Sequence, residues 1–540
     1  MFVESKTISL LAPEIILMMG ATILFLLGAF RAGRAQLIAT LIAYAGATAA
    51  VACYGSPWNA ESTFSGPLVI DPMSLGLRWI ALLAGLIFTL AGSRRDAELA
   101  GEFQGTLMLV ICGAMLASSA NELVLLFLGL ELISVPTYVL LFLGRRDRAS
   151  AEATMKYFYL SLLASALLLY GFAFLYGISG TTVIVGSGEV RGIREAFLNQ
   201  GGTGTALTAT ASSLFKLSPI ALVLITAGFG FKLAAAPFQF YAPDVYQGTT
   251  NANAGVLAVI PKLAGVAGLL RLALLIIPGT EVAEKAFAWQ LPLVLAVLTM
   301  TIGNICALWQ KDIRRLLAYS SIAHGGYLLI GLAVSAANLS SESHQAAGGA
   351  GAMLFYVLVY ALATMGSFCT LAYLGSPRRE LSGVEELAGL ARSQPLAAAA
   401  LAIFMFSLAG IPPLAGFWGK LTLFGSTIQL AAVNQTSNTS LALWFVGLAV
   451  VAALNAAIGA AYYLRVIGVM YFQAPGTPAP AAGGKLALVG GVLCALLVIG
   501  SGMFPAQIVG LSLRAEQKLV EQAPAAHKVN IESSPLASAP

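Results

Sequence analysis

The sequence predicts an all-α polytopic membrane protein of about fourteen transmembrane helices, arranged around two inverted five-helix repeats that each contain a broken helix. Three observations carry this expectation. Mean hydropathy is +0.85, and of 540 residues 58% are hydrophobic and only 10% charged. Apolar runs long enough to cross a bilayer recur almost end to end. Successive loops alternate in Lys/Arg content, as they must if each span reverses the chain's direction.

Windows of about 18 or more apolar residues place spans near 8–30, 36–54 and 73–92, an N-terminal three-helix segment within 1–104. Five more follow near 105–119, 122–143, 154–176, 217–238 and 252–277, a unit covering 105–277. A second unit, 291–471, holds spans near 291–309, 316–335, 349–374, 395–430 and 441–471. Residues 472–503 give a linker and a last helix near 485–503, and 504–540 a polar tail. The first run lacks a basic n-region and an A-x-A-like cleavage site and is too long for a signal-peptide core, so it is expected to be a retained helix. The fourth window is short; the twelfth is too long for one straight crossing unless it is broken. Residues 177–216 form a Gly/Ser/Thr-rich connection around a short amphipathic piece, Val190–Asn199. The segment 474–484 is a flexible Pro/Gly/Ala linker. The tail offers one helix candidate, Gln507–Glu521, too short to run laterally across a neighbouring subunit.

Charge distribution checks the count. One set of loops holds Arg31, Arg34, Arg94, Arg95, Arg145, Arg146, Arg148, Lys311, Arg314, Arg315, Arg378, Arg379, Arg392 and Lys485. The short loops of the other set carry only Lys285. The basic set faces inward, which places both termini on the outer (periplasmic) side of an energy-transducing membrane, expected to be a bacterial inner membrane. The long 177–216 connection carries Arg191, Arg194 and Lys216 on the outer side, as long segments are free to do.

Several function classes are excluded. The cysteines, Cys53, Cys112, Cys306, Cys369 and Cys494, are scattered without C-x-x-C spacing, against an iron–sulfur, zinc or disulfide framework. The net charge of +5 is dispersed among loops instead of forming a stripe, so no nucleic-acid partner is expected and the bilayer is. GSGEVRG at 186–192 lacks the G-x-G-x-x-G fingerprint and a preceding strand. No residue set is expected to hold NADH, flavin, haem or a metal.

Two spans carry breaks beside a lysine. Pro237 and Pro243 follow Lys232, and Pro412 and Pro413 precede Lys420. Proline removes a backbone donor and clashes with the preceding turn, so both helices are expected to unwind locally. Irregular backbone at membrane depth is tolerated only where it is buried in protein or lines a hydrated cavity. The breaks lie five helices apart, which suggests repeats formed by spans 4–8 and 9–13; an odd number of helices per unit makes them inverted.

Glu131, Lys232, Lys262, His324 and Lys420 lie inside apolar stretches, where a charge costs at least a few kcal/mol and is usually functional. By helical rise Glu131 is roughly 18 Å and Lys262 roughly 15 Å from the inner ends of their spans, near the midplane. A buried ammonium or carboxylate holds its charge weakly unless a partner of opposite sign supports it. Glu131 and Lys232 are the candidate pair for such switching. The bland alternatives are static ion pairs or snorkelling charges; unwound backbone neutralising Lys420; Lys156 reaching to the interface; and His324 as a neutral core histidine. Arg271, Arg465, Glu14 and Asp71 lie near span ends and are expected to be anchors.

At LGLELISVPTYVL (129–141), EATMKYFYLSLLASALLLYG (152–171), GFKLAAAPFQFYAPDVYQGTT (230–250), IPKLAG (260–265), KDIRRLLAYSSIAHGGYLLIG (311–331) and AGIPPLAGFWGK (409–420) the chain resembles the antiporter-like membrane subunits of respiratory complex I. The resemblance is closest to the subunit N family, favoured by PEIILM (13–18), MKYFYL and PDVYQGTT. It implies a proton relay in which Glu131 and Lys232 are an ion pair, Lys156 a companion on the next helix, Lys262 the central connecting lysine, His324 a central-axis histidine and Lys420 the exit-side lysine. It further implies proton translocation from the cytoplasmic side outward, coupled to quinone reduction elsewhere. NADH, FMN, iron–sulfur clusters and quinone would sit in partner subunits, with none in this chain. The implied neighbours are subunits M, K, J and A, and the peripheral redox arm indirectly. Where such proteins commonly have His and Trp, this chain has Gln239 and Tyr241. The rival readings are an Mrp-type cation/proton antiporter subunit, a hydrogenase-linked proton pump subunit and a non-pumping scaffold.

Overall fold

The computed structural model describes residues 5–30, 33–55, 61–92, 97–145, 147–186, 190–198, 214–274, 282–340, 348–376, 380–474 and 479–521. Arg31, Arg94, Arg95, Arg146, Arg378 and Arg379 of the charge pattern, residues 199–213 and the tail beyond 521 lie outside them.

The helices are α1 (Ser5–Leu10), α2 (Ala12–Ala29), α3 (Gly33–Cys53), α4 (Pro72–Ala91), α5 (Ala97–Ser119), α6 (Leu123–Gly144), α7 (Arg148–Ser179) and α8 (Ile193–Leu198). They continue as α9 (Ser218–Leu233), α10 (Tyr241–Gly248), α11 (Asn251–Leu272), α12 (Val282–Leu308), α13 (Ile313–Ser340), α14 (Gly349–Leu374) and α15 (Leu390–Ser393). The last five are α16 (Pro395–Ala409), α17 (Ala415–Val433), α18 (Thr439–Phe472), α19 (Lys485–Met503) and α20 (Pro505–Glu521). Two three-residue strands, β1 (Thr63–Ser65) and β2 (Leu68–Ile70), form an antiparallel hairpin before α4 that the apolar pattern did not signal.

Among the described residues thirteen helices are long and apolar enough to cross a membrane. The expected twelfth span, 395–430, is broken as its length and prolines predict, into the apolar α16 and then α17, separated at 410–414. The fourth span, expected as short, runs the full length of α5 because Ala97–Gln104 continues the helix beyond the apolar window.

Local chemistry sets the boundaries. Asp71 and Ser74 form a capping box with Pro72 at the first helical position, starting α4. Asp147, Thr250 and Asn438 accept backbone N–H groups at the starts of α7, α11 and α18. Ala234 (φ 54°) ends α9 and Gly410 (φ 89°) ends α16 in left-handed conformation. At Gly410 a Cβ would lie 3.0 Å from Cδ of Lys420, so glycine serves both the turn and the lysine's approach.

The breaks are where expected, with one correction. The first occupies residues 234–240, including Pro237, but Pro243 lies inside the first turn of α10, where it starts the second piece instead of interrupting the first. Pro412 and Pro413 lie in the second break. Every residue of α11 is buried. Helix α14, almost as buried, packs on α4, α11, α13, α16, α17, α19 and α20. Of the candidate charges α11 carries Lys262, and α14 carries Tyr356 and Tyr360 beside it.

Candidate functional site

Lys232 ends α9 just before the first break, 3% exposed, and its Nζ donates to Oγ of Ser134 on α6 at 2.6 Å. One turn earlier on α6, Glu131 accepts a hydrogen bond from the Ser165 hydroxyl of α7. The direct Glu131–Lys232 ion pair expected from the sequence is thus replaced: each charge faces a serine, and no Glu131–Lys232 contact within 4.0 Å occurs. The physical reason is register: Ser134, three residues after Glu131, presents the nearer oxygen.

Lys156 does not join this group. It lies at the other end of its helix pair, with Nζ 2.8 Å from Asp244 Oδ2 of α10 and 2.6 Å from Glu152 Oε1. Asp244 Oδ1 also accepts from Arg315 Nη1 of α13 at 2.7 Å. One carboxylate on the second piece of the broken span therefore ties α7 to α13. Arg315 and Asp244 were not among the expected site residues.

Lys262 sits midway along α11, 1% exposed. Its Nζ donates to Ser321 Oγ at 2.8 Å, to the Ser321 carbonyl and to Tyr360 Oη at 3.4 Å, and lies 4.5 Å from the centre of the Tyr360 ring. The first break comes close to it: a Cβ on Gly325 would meet the Leu233 carbonyl at 2.7 Å and Lys262 Nζ at 3.9 Å. Tyr360 in turn donates to Ser321 Oγ at 2.8 Å and to the Ala258 carbonyl at 3.1 Å.

His324, one turn beyond Ser321 on α13, is bonded at both nitrogens. Nδ1 is 2.6 Å from Tyr356 Oη and Nε2 is 3.0 Å from Tyr463 Oη. A cavity of about 10 Å³ is lined by His324, Tyr356, Tyr360, Ser407, Gly416 and Lys420. Lys420 Nζ donates to the carbonyls of Leu408 (2.8 Å) and Ala409 (2.9 Å), which the end of α16 leaves without intrahelical donors.

The line therefore runs Glu131 and Lys232, the first break, Lys262, Ser321 and Tyr360, His324, the cavity, and Lys420 at the second break. The structure brings together five of the six expected residues and sets Lys156 apart. Sequence reasoning missed the hydroxyl links Ser134, Ser165, Ser321, Tyr356, Tyr360 and Tyr463. Helical spacing was the available signal, since Ser321 and His324 are three apart and Tyr356 and Tyr360 four apart, each pair on one face.

The residues expected as anchors also differ. Arg78, unnoticed in the third span, is fully buried with Nη2 2.7 Å from Glu14 Oε1. Arg271 binds Asp71 through two nitrogens at 3.1 and 3.2 Å and the Ser118 carbonyl at 2.8 Å. These buried pairs hold α2, α4, α5 and α11 together, since positions near span ends are interior wherever other helices cover them. Arg465 alone behaves as an anchor, exposed and bonded to the Leu308 and Gln310 carbonyls.

Residues 120–447 match the family described as NADH:quinone oxidoreductase/Mrp antiporter, TM. NADH-quinone oxidoreductase subunit N of Trichlorobacter lovleyi is 35% identical over 474 residues, covering 87% of this chain and 88% of that protein. The chain belongs to the NADH-quinone oxidoreductase subunit N family. Subunit N of Granulibacter bethesdensis is 34% identical over 520 residues, covering 95% of this chain and 99% of its own length. A chain of respiratory complex I from Thermus thermophilus with bound aureothin superposes with a TM-score of 0.71 at 31% identity, covering 93% of this chain and 99% of that one. A chain of the Mrp complex from Dietzia sp. shares the fold at a TM-score of 0.74 and 19% identity, covering 96% and 97%. The subunit N family is a family of antiporter-like membrane subunits whose general function is proton translocation.

Proposed function

We propose that this chain moves protons from the inner to the outer side of a bacterial inner membrane as a subunit without redox groups of its own, coupled to quinone reduction in partner subunits. Glu131, Lys232, Lys262, His324 and Lys420 carry the protons, and Lys156 sets the position of the first broken span through Asp244. The observation that carries the reading is the polar line itself: five titratable groups follow one another across the bundle, with hydroxyls, freed carbonyls or a small cavity between them.

Chemistry follows from what each group faces. An ammonium deep in the bundle is stable only while oxygen atoms or a carboxylate answer it. Lys232 faces a hydroxyl with Glu131 one turn away, so a small shift of the break brings the ammonium toward the carboxylate or away from it. Moved away, the lysine gives up a proton through the break toward Lys262. Ser321 and Tyr360 then link Lys262 to His324, and the cavity links His324 to Lys420. The two broken spans belong to five-helix antiporter-like repeats, 105–277 and 291–471, related by inversion. The three-helix segment (1–104), the linker and last helix (472–503) and the tail (504–540) lie outside them. Both termini lie on the outer side. NADH, FMN, iron–sulfur clusters and quinone belong to the partners, among which are subunits M, K, J and A.

The Mrp-like fold supports the antiporter architecture but, at 19% identity, nothing about the ion carried. The test is NADH-driven proton uptake in membranes carrying Lys232→Ala, with a native gel for the intact complex. Assembled complex with reduced uptake is the expected result; assembled complex with unchanged uptake removes Lys232 from the relay.

A further inference from the structure

Helix α14 carries Tyr356 and Tyr360 but supplies no side chain to begin itself. Its N-cap, Gly348, is in left-handed conformation (φ 66°) and makes no side-chain cap bond, so the first N–H groups of the helix need acceptors from elsewhere. Glu516 of α20 provides them from far along the chain. Its Oε1 accepts from the Ala350 N–H at 3.3 Å and its Oε2 from the Gly351 N–H at 3.0 Å, and the residue is 6% exposed. A carboxylate is the charge that suits this end of a helix. The sequence Gly-Gly-Ala-Gly-Ala at 348–352 makes room for the approach. A Cβ at 351 would lie 3.0 Å from Glu516 Oε2 and from Leu513 Cδ2, and one at 348 would lie 3.2 Å from Leu513 Cδ2.

The other end of α14 is tied by the same part of the chain. The N–H groups of Ala481, Ala482 and Gly483, just before α19, donate to the carbonyls of Leu374, Gly375 and Tyr373 at 3.1, 3.0 and 3.0 Å. A Cβ at 483 would lie 1.8 Å from the Ala372 carbonyl, so the strap fits only with glycine there. Terminal N–H and C=O groups point along a helix axis. Bonds at both ends therefore oppose sliding of α14 along its own length.

Sliding matters because of what the helix presents. Tyr356 lies about 8 Å along the axis from Gly351, and Tyr360 one turn further. The Tyr360 hydroxyl is fixed by its own surroundings, 2.8 Å from Ser321 Oγ, 3.1 Å from the Ala258 carbonyl and 3.4 Å from Lys262 Nζ. The Tyr356 hydroxyl instead meets His324 Nδ1 at 2.6 Å, so its place follows the place of α14. A displacement of about 1 Å is enough to take such a contact out of hydrogen-bond range. Caps often serve stability alone; this one also sets how the helix meets the imidazole.

We propose that Glu516 is a positioning residue of the relay: by capping α14 it fixes the height of the Tyr356 hydroxyl against His324 Nδ1. The proposal rests on the relay reading, which gives the Tyr356–His324 contact its use. Glu516 itself carries no relayed proton. Its carboxylate stays on the Ala350 and Gly351 N–H groups, and the strap at 481–483 holds the opposite end.

A double variant separates positioning from stability. In inside-out membrane vesicles holding the intact complex, Glu516→Ala is expected to lower NADH-driven proton uptake about threefold. Glu516→Gln, which keeps an oxygen for one N–H, is expected to keep more than about half of it. Tyr356→Phe keeps the ring, removes the hydroxyl and is expected to lower uptake at least about threefold. Adding Glu516→Ala to Tyr356→Phe should lower it no further, because the contact that Glu516 positions is already gone. The lost cap lowers the melting temperature in both backgrounds whichever role holds, so uptake decides. Losses that multiply in the double variant, or unchanged uptake in Glu516→Ala, make Glu516 a stabilising cap only and overturn the positioning role; the relay reading then stands on the loss in Lys232→Ala. Normal uptake in Lys232→Ala sinks the relay reading, and the positioning role with it. If Glu516→Ala does not assemble on a native gel, Glu516→Gln is combined with Tyr356→Phe and judged in the same way.

Discussion

The two broken spans hold the same kind of residue by different means. Lys232 precedes its break and is answered by a side chain, the Ser134 hydroxyl, with the Glu131 carboxylate one turn earlier on α6. Lys420 follows its break and is answered by the broken helix itself, through the Leu408 and Ala409 carbonyls. The difference is one of stiffness. A hydroxyl can rotate and an acid nearby can compete for the ammonium, so the first arrangement has two states within reach. Backbone carbonyls at the end of α16 are fixed by that helix, so the second offers the ammonium one place to be. The first break is thus built to change and the second to receive.

Removing the lysine should expose this difference most sharply at the second break. Lys420→Met leaves two carbonyls deep in the bundle without the donor they face, at about 1–3 kcal/mol for each buried group left unpaired. It also removes the last group of the proposed relay. Uptake is expected to fall about tenfold or more, together with a lower melting temperature of the assembled complex. Lys232→Met strands only a rotatable hydroxyl and should lower uptake about twofold with little change in melting. Equal destabilisation by the two variants would break the comparison.

Both breaks were legible in the sequence because proline beside an intramembrane lysine is rare and its consequence is steric. The spans were legible because apolar length is a direct measure of bilayer thickness. The replacement of the expected Glu131–Lys232 pair by a Ser134–Lys232 contact was not, since serine at position 134 looks like any small polar residue until the register of α6 against α9 is known. Burial at span ends also escaped: Glu14, Asp71 and Arg271 look like interface anchors unless one knows that α2, α4, α5 and α11 cover one another there. Lys156 was assigned to the first half-channel by resemblance, but its distance from Ser134 and Lys232 depends on how α7 and α10 meet, which Asp244 decides.

The carboxylate of the first break gives the next largest expected effect. Glu131→Gln keeps an oxygen for the Ser165 hydroxyl and removes the charge that competes for the Lys232 ammonium. Stability is expected to stay within about 0.5 kcal/mol, while uptake falls about twofold, as in Lys232→Met. A variant that pumps normally would mean that Glu131 only packs α6 against α7, and the first break would then be as static as the second. The double variant Glu131→Gln with Lys232→Met should be no worse than either alone, because both disable the same step at the first break.

Ser134 is the finest probe of the same difference. Ser134→Ala removes the oxygen that Lys232 Nζ meets at 2.6 Å and leaves the site's volume almost unchanged. A hydrogen bond to a charged donor is worth about 1.5–3 kcal/mol, but Glu131 lies one turn away and can take up the freed ammonium. Most of that loss is therefore expected to be recovered by a new Glu131–Lys232 contact. The complex should melt nearly as before, with uptake only slightly lowered, because the ammonium now rests in one of its two states too firmly. Placing Ser134→Ala on Glu131→Gln removes the fallback and should cost stability that neither change costs alone, read as a non-additive drop in melting temperature. Strict additivity of the two melting shifts would show that Lys232 never moves between the serine and the acid, and the first break would lose its claim to be the movable one.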